Sequence, residues 1–202
     1  MTDGVSDWFE PLYERASRDP SQVPWALMGV TPYLETWLKA NSSGQGKTAL
    51  VVACGLGDDA EALAEAGYRV TAFDISETAI RWAKERFPET QVDYQVADLF
   101  ALRQDWHRRF DLVFEFRTIQ ALPIDVRAEV IERIVETVRT RLLLATYLRT
   151  SEAAPNGPPW PLSESELAIV EQSGLRVVQR QDFRNQDSRF VERVLVEYQR
   201  LA

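Results

Sequence analysis

Residues 50–59, LVVACGLGDD, constrain the fold of this chain more than any other segment. An apolar run containing β-branched residues leads into two closely spaced glycines, and acidic residues follow. Glycine at the carboxyl end of a buried strand lets the backbone turn sharply and leaves room for a ligand, towards which the N–H groups of the next helix point. The segment therefore predicts a buried strand, a ligand-binding turn and a helix.

An acidic residue is expected at the end of the second strand. Residues 69–73 have the pattern of a strand, and Asp74 follows 17 residues after Gly57. A carboxylate at this position can accept hydrogen bonds from both hydroxyls of a ribose. Gly55, Gly57 and Asp74 together predict a site for a ligand of the nucleotide type.

Downstream of Thr48, strand-like and helix-like segments alternate, which is typical of a parallel sheet covered by helices. We predict strands over residues 47–53, 69–73, 92–96, 110–116, 141–147, 175–183 and 191–199, and helices over 59–66, 76–87, 99–109, 126–138 and 163–173. Ser76 is expected to cap the second of these helices, Ser163 and Glu166 to form a capping box on the last, Gly67 to end the first, and residues 150–161 to form a loop. The last two strands should pair antiparallel because their connection is too short for a crossover helix. The expected fold is a Rossmann-like, doubly wound mixed sheet of seven strands, with the last strand antiparallel and helices on both faces.

The N-terminal residues differ from this repeat because they are rich in aromatic side chains and proline. We predict a helical, aromatic cover over residues 1–40 and a cofactor-binding α/β core over residues 48–202. The two parts are expected to form a single domain, residues 1–202.

Composition narrows the classes of function. A single cysteine, Cys54, and a single histidine, His107, argue against a disulfide, a multi-cysteine zinc site and most catalytic triads, so no metal is expected. A net charge of -8 disfavours nucleic acid as a partner. No apolar run is long enough for a membrane helix, and no secretory signal is evident. We expect a cytoplasmic protein, a monomer or weak homodimer, that acts on a small molecule without membrane or nucleic acid.

The residues after Gly57 distinguish between nucleotide-type ligands. A dinucleotide site would continue as G-x-G-x-x-G, but Asp58, Asp59 and Ala60 follow here. Two carboxylates would repel a pyrophosphate, whereas a ligand with a sulfonium and an amino group would be attracted. A Walker loop is excluded because the Gly-Lys-Thr triplet at residues 46–48 precedes the first strand.

Motif-like segments follow each of the first three strands and lie within the fourth. They are residues 53–59 (ACGLGDD), 73–76 (FDIS), 97–100 (ADLF) and 110–115 (FDLVFE). In this order they resemble the motifs of class I S-adenosylmethionine-dependent methyltransferases. The resemblance implies S-adenosylmethionine as the cofactor. The cofactor-binding residues are then expected to be Trp8, Trp25, Ala53, Gly55, Gly57, Asp59, Asp74, Ile75, Asp98, Leu99 and Glu115.

Several of these residues also have purely structural interpretations. Asp59 suits the dipole of a helix N-terminus, and Asp98 suits an N-cap. The aromatic faces of Trp8 and Trp25 could attract a sulfonium, or the two rings could simply pack on the sheet. The catalytic group is unknown, with Glu115 and Arg117 as candidates, and Arg117 could either orient an anionic acceptor or pair with Glu115.

Shorter segments resemble the thiopurine methyltransferase-like group, which includes thiol and halide methyltransferases. They are Trp8 with Tyr13, Pro24-Trp25, residues 121–123 (ALP) and residues 157–163 (GPPWPLS). Ala53 replaces a glycine that is frequent in the group, and Phe116-Arg117 departs from the polar pattern common after the fourth strand. The group closes its N-terminal aromatic segment over the cofactor and presents a soft acceptor.

The implied reaction is methyl transfer to a small molecule through a thiol or other soft nucleophile, which arrives deprotonated and requires no histidine base. An oxygen or nitrogen acceptor would require a carboxylate, a tyrosine or an oriented water as base. Two other classes stay open, an NAD(P)-dependent oxidoreductase and a non-catalytic protein that only binds the cofactor.

Overall fold

The computed structural model describes residues 4–41, 43–149, 156–184 and 192–201. The chain divides into two units, one reaching to Ala101 and the other beginning at Leu102. Seven strands form a mixed sheet, with three strands in the first unit and four in the second. Among the described residues, no helix combines the length and the apolar character that crossing a bilayer requires.

The first unit contains three parallel strands in the order β3-β2-β1. Its elements are α1 (Phe9–Ala16), α2 (Pro32–Ala40), β1 (Thr48–Val52), α3 (Asp58–Glu65), β2 (Arg69–Asp74), α4 (Glu77–Arg86) and β3 (Asp93–Val96). Four of the five β1 residues are buried, as expected for a strand covered on both faces. The N-terminal region is helical, as predicted.

Local signals explain where these helices begin and end. Thr31 caps α2, whose first residue is Pro32, and Ser76 caps α4 by accepting the N–H of Ala79 at 2.9 Å. Gly67 follows α3 with a φ of +93°, the left-handed conformation that ends many helices. Both Ser76 and Gly67 have the roles that the sequence predicts.

The second unit has strands in the order β4-β5-β7-β6. Its elements are β4 (Phe110–Phe116), α5 (Thr118–Ala121), α6 (Arg127–Thr137), β5 (Val138–Leu148), α7 (Glu164–Gln172), β6 (Leu175–Arg184) and β7 (Glu192–Arg200). β4 and β5 pair in parallel, whereas β7 is antiparallel to both β5 and β6. Ser163 and Glu166 form the predicted capping box of α7.

The seven-stranded mixed sheet and its antiparallel last strand are confirmed, but two local predictions are wrong. Residues 99–109 do not form one helix; they contain two short 3-10 turns, Leu99–Ala101 and Gln104–Trp106. The indole of Trp106 is buried edge-on against Phe110, with ring centroids 5.8 Å apart. β5 begins at Val138, immediately after α6, instead of at residue 141. The loop predicted over residues 150–161 lies outside the described residues from 150 to 155.

Candidate cofactor site

The turn between β1 and α3 has the tight backbone that its glycines predict. Ala53, Gly55 and Gly57 have φ angles of +46°, +53° and +94°, a region that glycine adopts readily and alanine does not. A Cβ added to Gly55 would lie 3.1 Å from the hydroxyl of Tyr13. The N-terminal segment therefore bounds the space in front of this turn.

Gly57 has a packing role that the sequence did not reveal. A Cβ at this position would collide with the hydroxyl of Tyr94, and it would lie 3.3 Å from the Cβ of Ala83. Gly57 therefore lets the turn pack closely against β3 and α4. It is also the N-cap of α3, and as a glycine it offers no side chain to the first helical N–H groups.

Asp74 ends β2 and contacts the first turn directly. Its Oδ2 accepts the backbone N–H of Gly55 at 3.0 Å, and its Oδ1 accepts that of Ser76 at 3.0 Å. Burial raises the pKa of Asp74 to about 6, and the bonds from Ser76, Gly55 and Ile75 oppose this rise. Ile75 itself is half-buried. The acid of the second strand and the first glycine, 19 residues apart, thus meet as predicted.

The two carboxylates after Gly57 are already engaged. Arg86 binds Asp58 with both of its terminal nitrogens, at 2.7 and 2.8 Å. Asp59 accepts the backbone N–H of Thr31 through Oδ1 at 2.8 Å. The negative charge expected at this turn is therefore smaller than the sequence suggests, because a guanidinium compensates Asp58.

Aromatic side chains of the N-terminal segment cluster against the same turn. The indole N–H of Trp25 donates to the hydroxyl of Tyr13 at 2.7 Å, and Trp8 meets Trp25 edge-on with ring centroids 5.7 Å apart. Trp25 also lies 4.0 Å from the position of a Cβ on Gly55. The structure therefore brings together both predicted tryptophans, and it places Trp25 beside the turn.

Glu10 is a residue of this site that sequence reasoning missed. Its carboxylate accepts the hydroxyl of Ser76, the backbone N–H of Thr78 at 3.2 Å and the hydroxyl of Thr78 at 2.6 Å. These bonds join α1 to the N-terminus of α4. Partial burial raises the pKa of Glu10, but the bonds from Ser76 and Thr78 outweigh it and the net shift is downward.

The segment after β3 lies beside the end of β2. The backbone N–H of Ala97 donates to the carbonyl oxygen of Asp74 at 3.0 Å. Asp98 is half-buried and accepts the N–H of Phe100 at 2.9 Å through Oδ1. Leu99 is buried. Asp98 therefore caps a short turn, as its structural interpretation expects, next to the strand that carries Asp74.

In the second unit, Glu115 is a fully buried carboxylate near the end of β4. Its Oε1 accepts the backbone N–H groups of Thr118 at 2.6 Å and Ile119 at 3.1 Å. Its Oε2 has no hydrogen-bond partner among the described residues. Burial raises the pKa of Glu115 to about 7, against the bonds from Ile119 and Thr118. This carboxylate can still accept a hydrogen bond or a proton.

Arg117 does not pair with Glu115 in the described part of the chain. Its guanidinium carbon lies 4.5 Å from the ring centroid of Phe116, and Nη2 donates to the hydroxyl of Tyr147 at 3.2 Å. Its backbone is left-handed, with a φ of +69°. Of the two interpretations left open for Arg117, pairing with Glu115 is therefore wrong.

Two methyltransferases align with this sequence over most of its length. A probable thiol methyltransferase 2 from Arabidopsis thaliana is 27% identical over 176 residues, which cover 84% of this chain and 74% of the relative. A thiopurine S-methyltransferase from Shewanella woodyi is 23% identical over 206 residues, which cover 91% of this chain and 92% of the relative.

The fold is shared with solved methyltransferase structures. Magnesium protoporphyrin IX methyltransferase from Synechocystis PCC 6803, crystallised with bound SAH, superposes with a TM-score of 0.75 at 19% identity, and 98% of each chain is covered. This likeness shows the Rossmann-like fold. The family model for thiopurine S-methyltransferase matches residues 16–200. Because that match spans nearly the whole sequence, the chain belongs to the thiopurine S-methyltransferase family.

Proposed function

We propose that this chain binds S-adenosylmethionine and transfers its methyl group to a small molecule through a thiol or another soft nucleophile. The observation that carries the proposal is the hydrogen bond from the Gly55 N–H to the carboxylate of Asp74. It places the acid of the second strand at the glycine turn of the first, where Tyr13 and Trp25 also lie. Family membership supports the same activity.

The residues of the first unit suit the separate parts of this cofactor. The buried carboxylate of Asp74 suits the ribose hydroxyls, and the left-handed turn brings backbone groups close to a ligand. The aromatic cluster offers ring faces to a cationic sulfur. We propose cofactor contacts for Trp8, Trp25, Ala53, Gly55, Gly57, Asp59, Asp74, Ile75, Asp98 and Leu99. A contact between Glu115 and the amino group stays a prediction that rests on its Oε2, which has no hydrogen-bond partner among the described residues.

The chain need not supply a nucleophile of its own. When bound, S-adenosylmethionine supplies a methyl group on a positively charged sulfur, and transfer to a thiolate forms one carbon–sulfur bond as another breaks. Burial raises the pKa of the Cys54 thiol well above its ordinary value, so Cys54 stays protonated. A thiol acceptor can lose its proton to solvent before it reacts. For an oxygen or nitrogen acceptor, Glu115 with its pKa of about 7 is the candidate base.

We also propose that residues 1–202 act as one cytoplasmic catalytic domain, as a monomer or weak homodimer. The net charge of -8 supports a small free acceptor in place of nucleic acid. Sedimentation velocity at micromolar concentration would measure the oligomeric state.

Two measurements test the proposed activity. In a thermal-shift comparison, S-adenosylhomocysteine should raise the melting temperature, whereas NAD and NADP should not. With a labelled methyl donor, product should form from thiols or halides before it forms from phenols or amines. Stabilisation by NADP alone would favour an oxidoreductase. Cofactor binding without product from any acceptor would favour a non-catalytic binding protein.

A further inference from the structure

Two arginines in the second unit lie against one tyrosine ring at the carboxyl ends of β4 and β5. The guanidinium carbon of Arg117 is 5.5 Å from the ring centroid of Tyr147, and that of Arg193 is 5.1 Å from it. Tyr147 is the penultimate residue of β5, and it pairs in register with Arg193 on β7. Phe116, the last residue of β4, lies under the guanidinium of Arg117. We call these four residues the arginine–tyrosine cluster.

The two cations of this cluster have no carboxylate partner in the part of the chain that the structure describes. Neither Arg117 nor Arg193 forms an ion pair with a carboxylate within the described ranges, although most other arginines of the second unit do. The Nε atoms of both are buried and have no hydrogen-bond partner there. Ring faces attract a cation only weakly and accept few of its N–H groups. An anion beside the ring of Tyr147 would balance the charge of the two guanidiniums and accept hydrogen bonds from their terminal nitrogens.

The position of the cluster is one where ligands bind in this class of fold. Arg117 follows β4, Tyr147 lies near the end of β5, and Arg193 lies near the start of the antiparallel β7, so all three lie at the carboxyl edge of β4 and β5. Ligands of open α/β sheets bind outside this edge. The four side chains are half-buried, so a ligand can reach them from solvent.

We propose that the acceptor carries a carboxylate, which Arg117 and Arg193 bind beside the ring of Tyr147. This inference rests on the proposed methyl transfer and names the chemical class of its substrate. Guanidinium groups match a carboxylate because their N–H donors can form paired hydrogen bonds with its two oxygens. The enzyme therefore selects acidic thiols over neutral thiols of the same size.

The test compares 3-mercaptopropionate with its neutral amide, 3-mercaptopropanamide. Wild-type protein should methylate the acid with a kcat/KM at least tenfold above that for the amide. Arg193→Gln and Arg117→Gln should each lower kcat/KM for the acid by about tenfold to a hundredfold, the loss expected for a charged hydrogen bond. Each should therefore bring the ratio of the acid and amide kcat/KM values close to one.

A matched control and a binding measurement make the test independent of folding and turnover. Arg176→Gln removes the same charge from an exposed arginine that pairs in register with Gln199, at the other end of β7, and should leave the acid-to-amide ratio unchanged. Calorimetry with 3-(methylthio)propionate, on protein saturated with S-adenosylhomocysteine, should show binding that both cluster variants weaken.

The possible outcomes separate the inference from the proposed function. Equal use of acid and amide, with a ratio that Arg193→Gln does not alter, would overturn the carboxylate site and leave methyl transfer standing. Arginine-dependent binding of the acid without methylation of any thiol would support the site and contradict transfer to a soft nucleophile.

Discussion

Arg86 holds both oxygens of Asp58, so that the last residue of α4 is tied to the first residue of α3. The two N–O distances are 2.7 and 2.8 Å, and Nη1 also donates to the carbonyl oxygen of Leu56 at 2.5 Å. The side chains of Arg86 and Asp58 are only 17% and 19% exposed. One guanidinium therefore holds both the glycine turn and the helix that follows it.

Removal of this guanidinium should destabilise the fold. Arg86→Gln leaves the carboxylate of Asp58 largely buried and without its ion pair. We expect the free energy of unfolding to fall by about 2 kcal/mol, a value between those for exposed and fully buried pairs. Urea unfolding at pH 7 measures it. Arg18→Gln is the matched control, because its ion pair with Glu85 has side chains 70% and 41% exposed. That change should cost less than about 0.5 kcal/mol, and equal losses for the two variants would contradict the argument.

Asp74 and Asp58 should differ sharply in their effect on cofactor affinity. Asp74→Ala removes the carboxylate proposed to bind the ribose, and the affinity for S-adenosylhomocysteine should fall at least tenfold, as expected for a charged contact of about 1.5–3 kcal/mol. Asp58→Asn should change affinity by less than about threefold, since Arg86 already compensates that charge. Calorimetry at 25 °C measures both. Unchanged affinity in Asp74→Ala would remove the ribose assignment.

The parts of the site that the sequence predicted depend on residues close together in the chain or on the ends of adjacent strands. The contact of Gly55 with Asp74 followed from two adjacent parallel strands, whose carboxyl ends meet at one edge of the sheet. The capping roles of Ser76 and Ser163 followed from residues one helical turn apart. Such patterns are fixed by backbone geometry, so a sequence shows them without a three-dimensional structure.

The parts that escaped prediction depend on which distant side chains meet. Glu10 reaches Ser76 and Thr78 across more than sixty residues, and no spacing rule links them. Arg86 neutralises a carboxylate that the sequence presented as free. The segment 99–109 looked helical, but burial of Trp106 against Phe110 favours two short turns. In each case tertiary packing determines which residues meet, and the local sequence alone does not identify them.

Glu115 should make stability depend on pH in a defined direction. The unfolded chain ionises this group near its ordinary pKa of 4.5, whereas the folded chain holds the proton up to about pH 7. The folded state therefore binds more protons within this window, and wild-type stability falls as pH rises through it. Glu115→Gln keeps the acceptor oxygen for Thr118 and Ile119 and removes the charge.

The free energy of unfolding of Glu115→Gln should therefore exceed that of the wild type by an amount that grows between about pH 4.5 and pH 7 and stays constant above pH 7. We expect about 3 kcal/mol at pH 8, because the pKa rises from 4.5 to about 7 and each unit corresponds to about 1.4 kcal/mol. Urea unfolding of the ligand-free protein at pH 5, 6, 7 and 8 measures the gain. Glu132→Gln, at an exposed position of α6, should change stability by less than about 0.5 kcal/mol. A gain that is independent of pH would contradict the assignment.

Loss of the Glu10 carboxylate should loosen α1 from α4. Glu10→Ala removes all three bonds to Ser76 and Thr78, and trypsin should cleave after Arg15 or Arg18 about five- to thirtyfold faster, as for a lost helix cap of about 1–2 kcal/mol. Glu10→Gln keeps an acceptor oxygen and should show a smaller rise. Because the folded pKa of Glu10 is lowered, its contribution is complete above pH 4.5 and is lost as pH falls through the folded pKa.

Replacement of Ala53 by glycine should stabilise the protein, because glycine adopts the left-handed backbone of this position readily. Its φ of +46° costs a residue with a Cβ about 1–2 kcal/mol, whereas the extra chain entropy of glycine costs about 0.5–1 kcal/mol. The net gain is about 0.5–1 kcal/mol, and the melting temperature should rise by about 2 °C. Ala62→Gly, in the interior of α3, should instead lose about 1 kcal/mol. Calorimetric melting of both variants without ligand tests the opposite signs, and a loss in both would show that Ala53 is not strained.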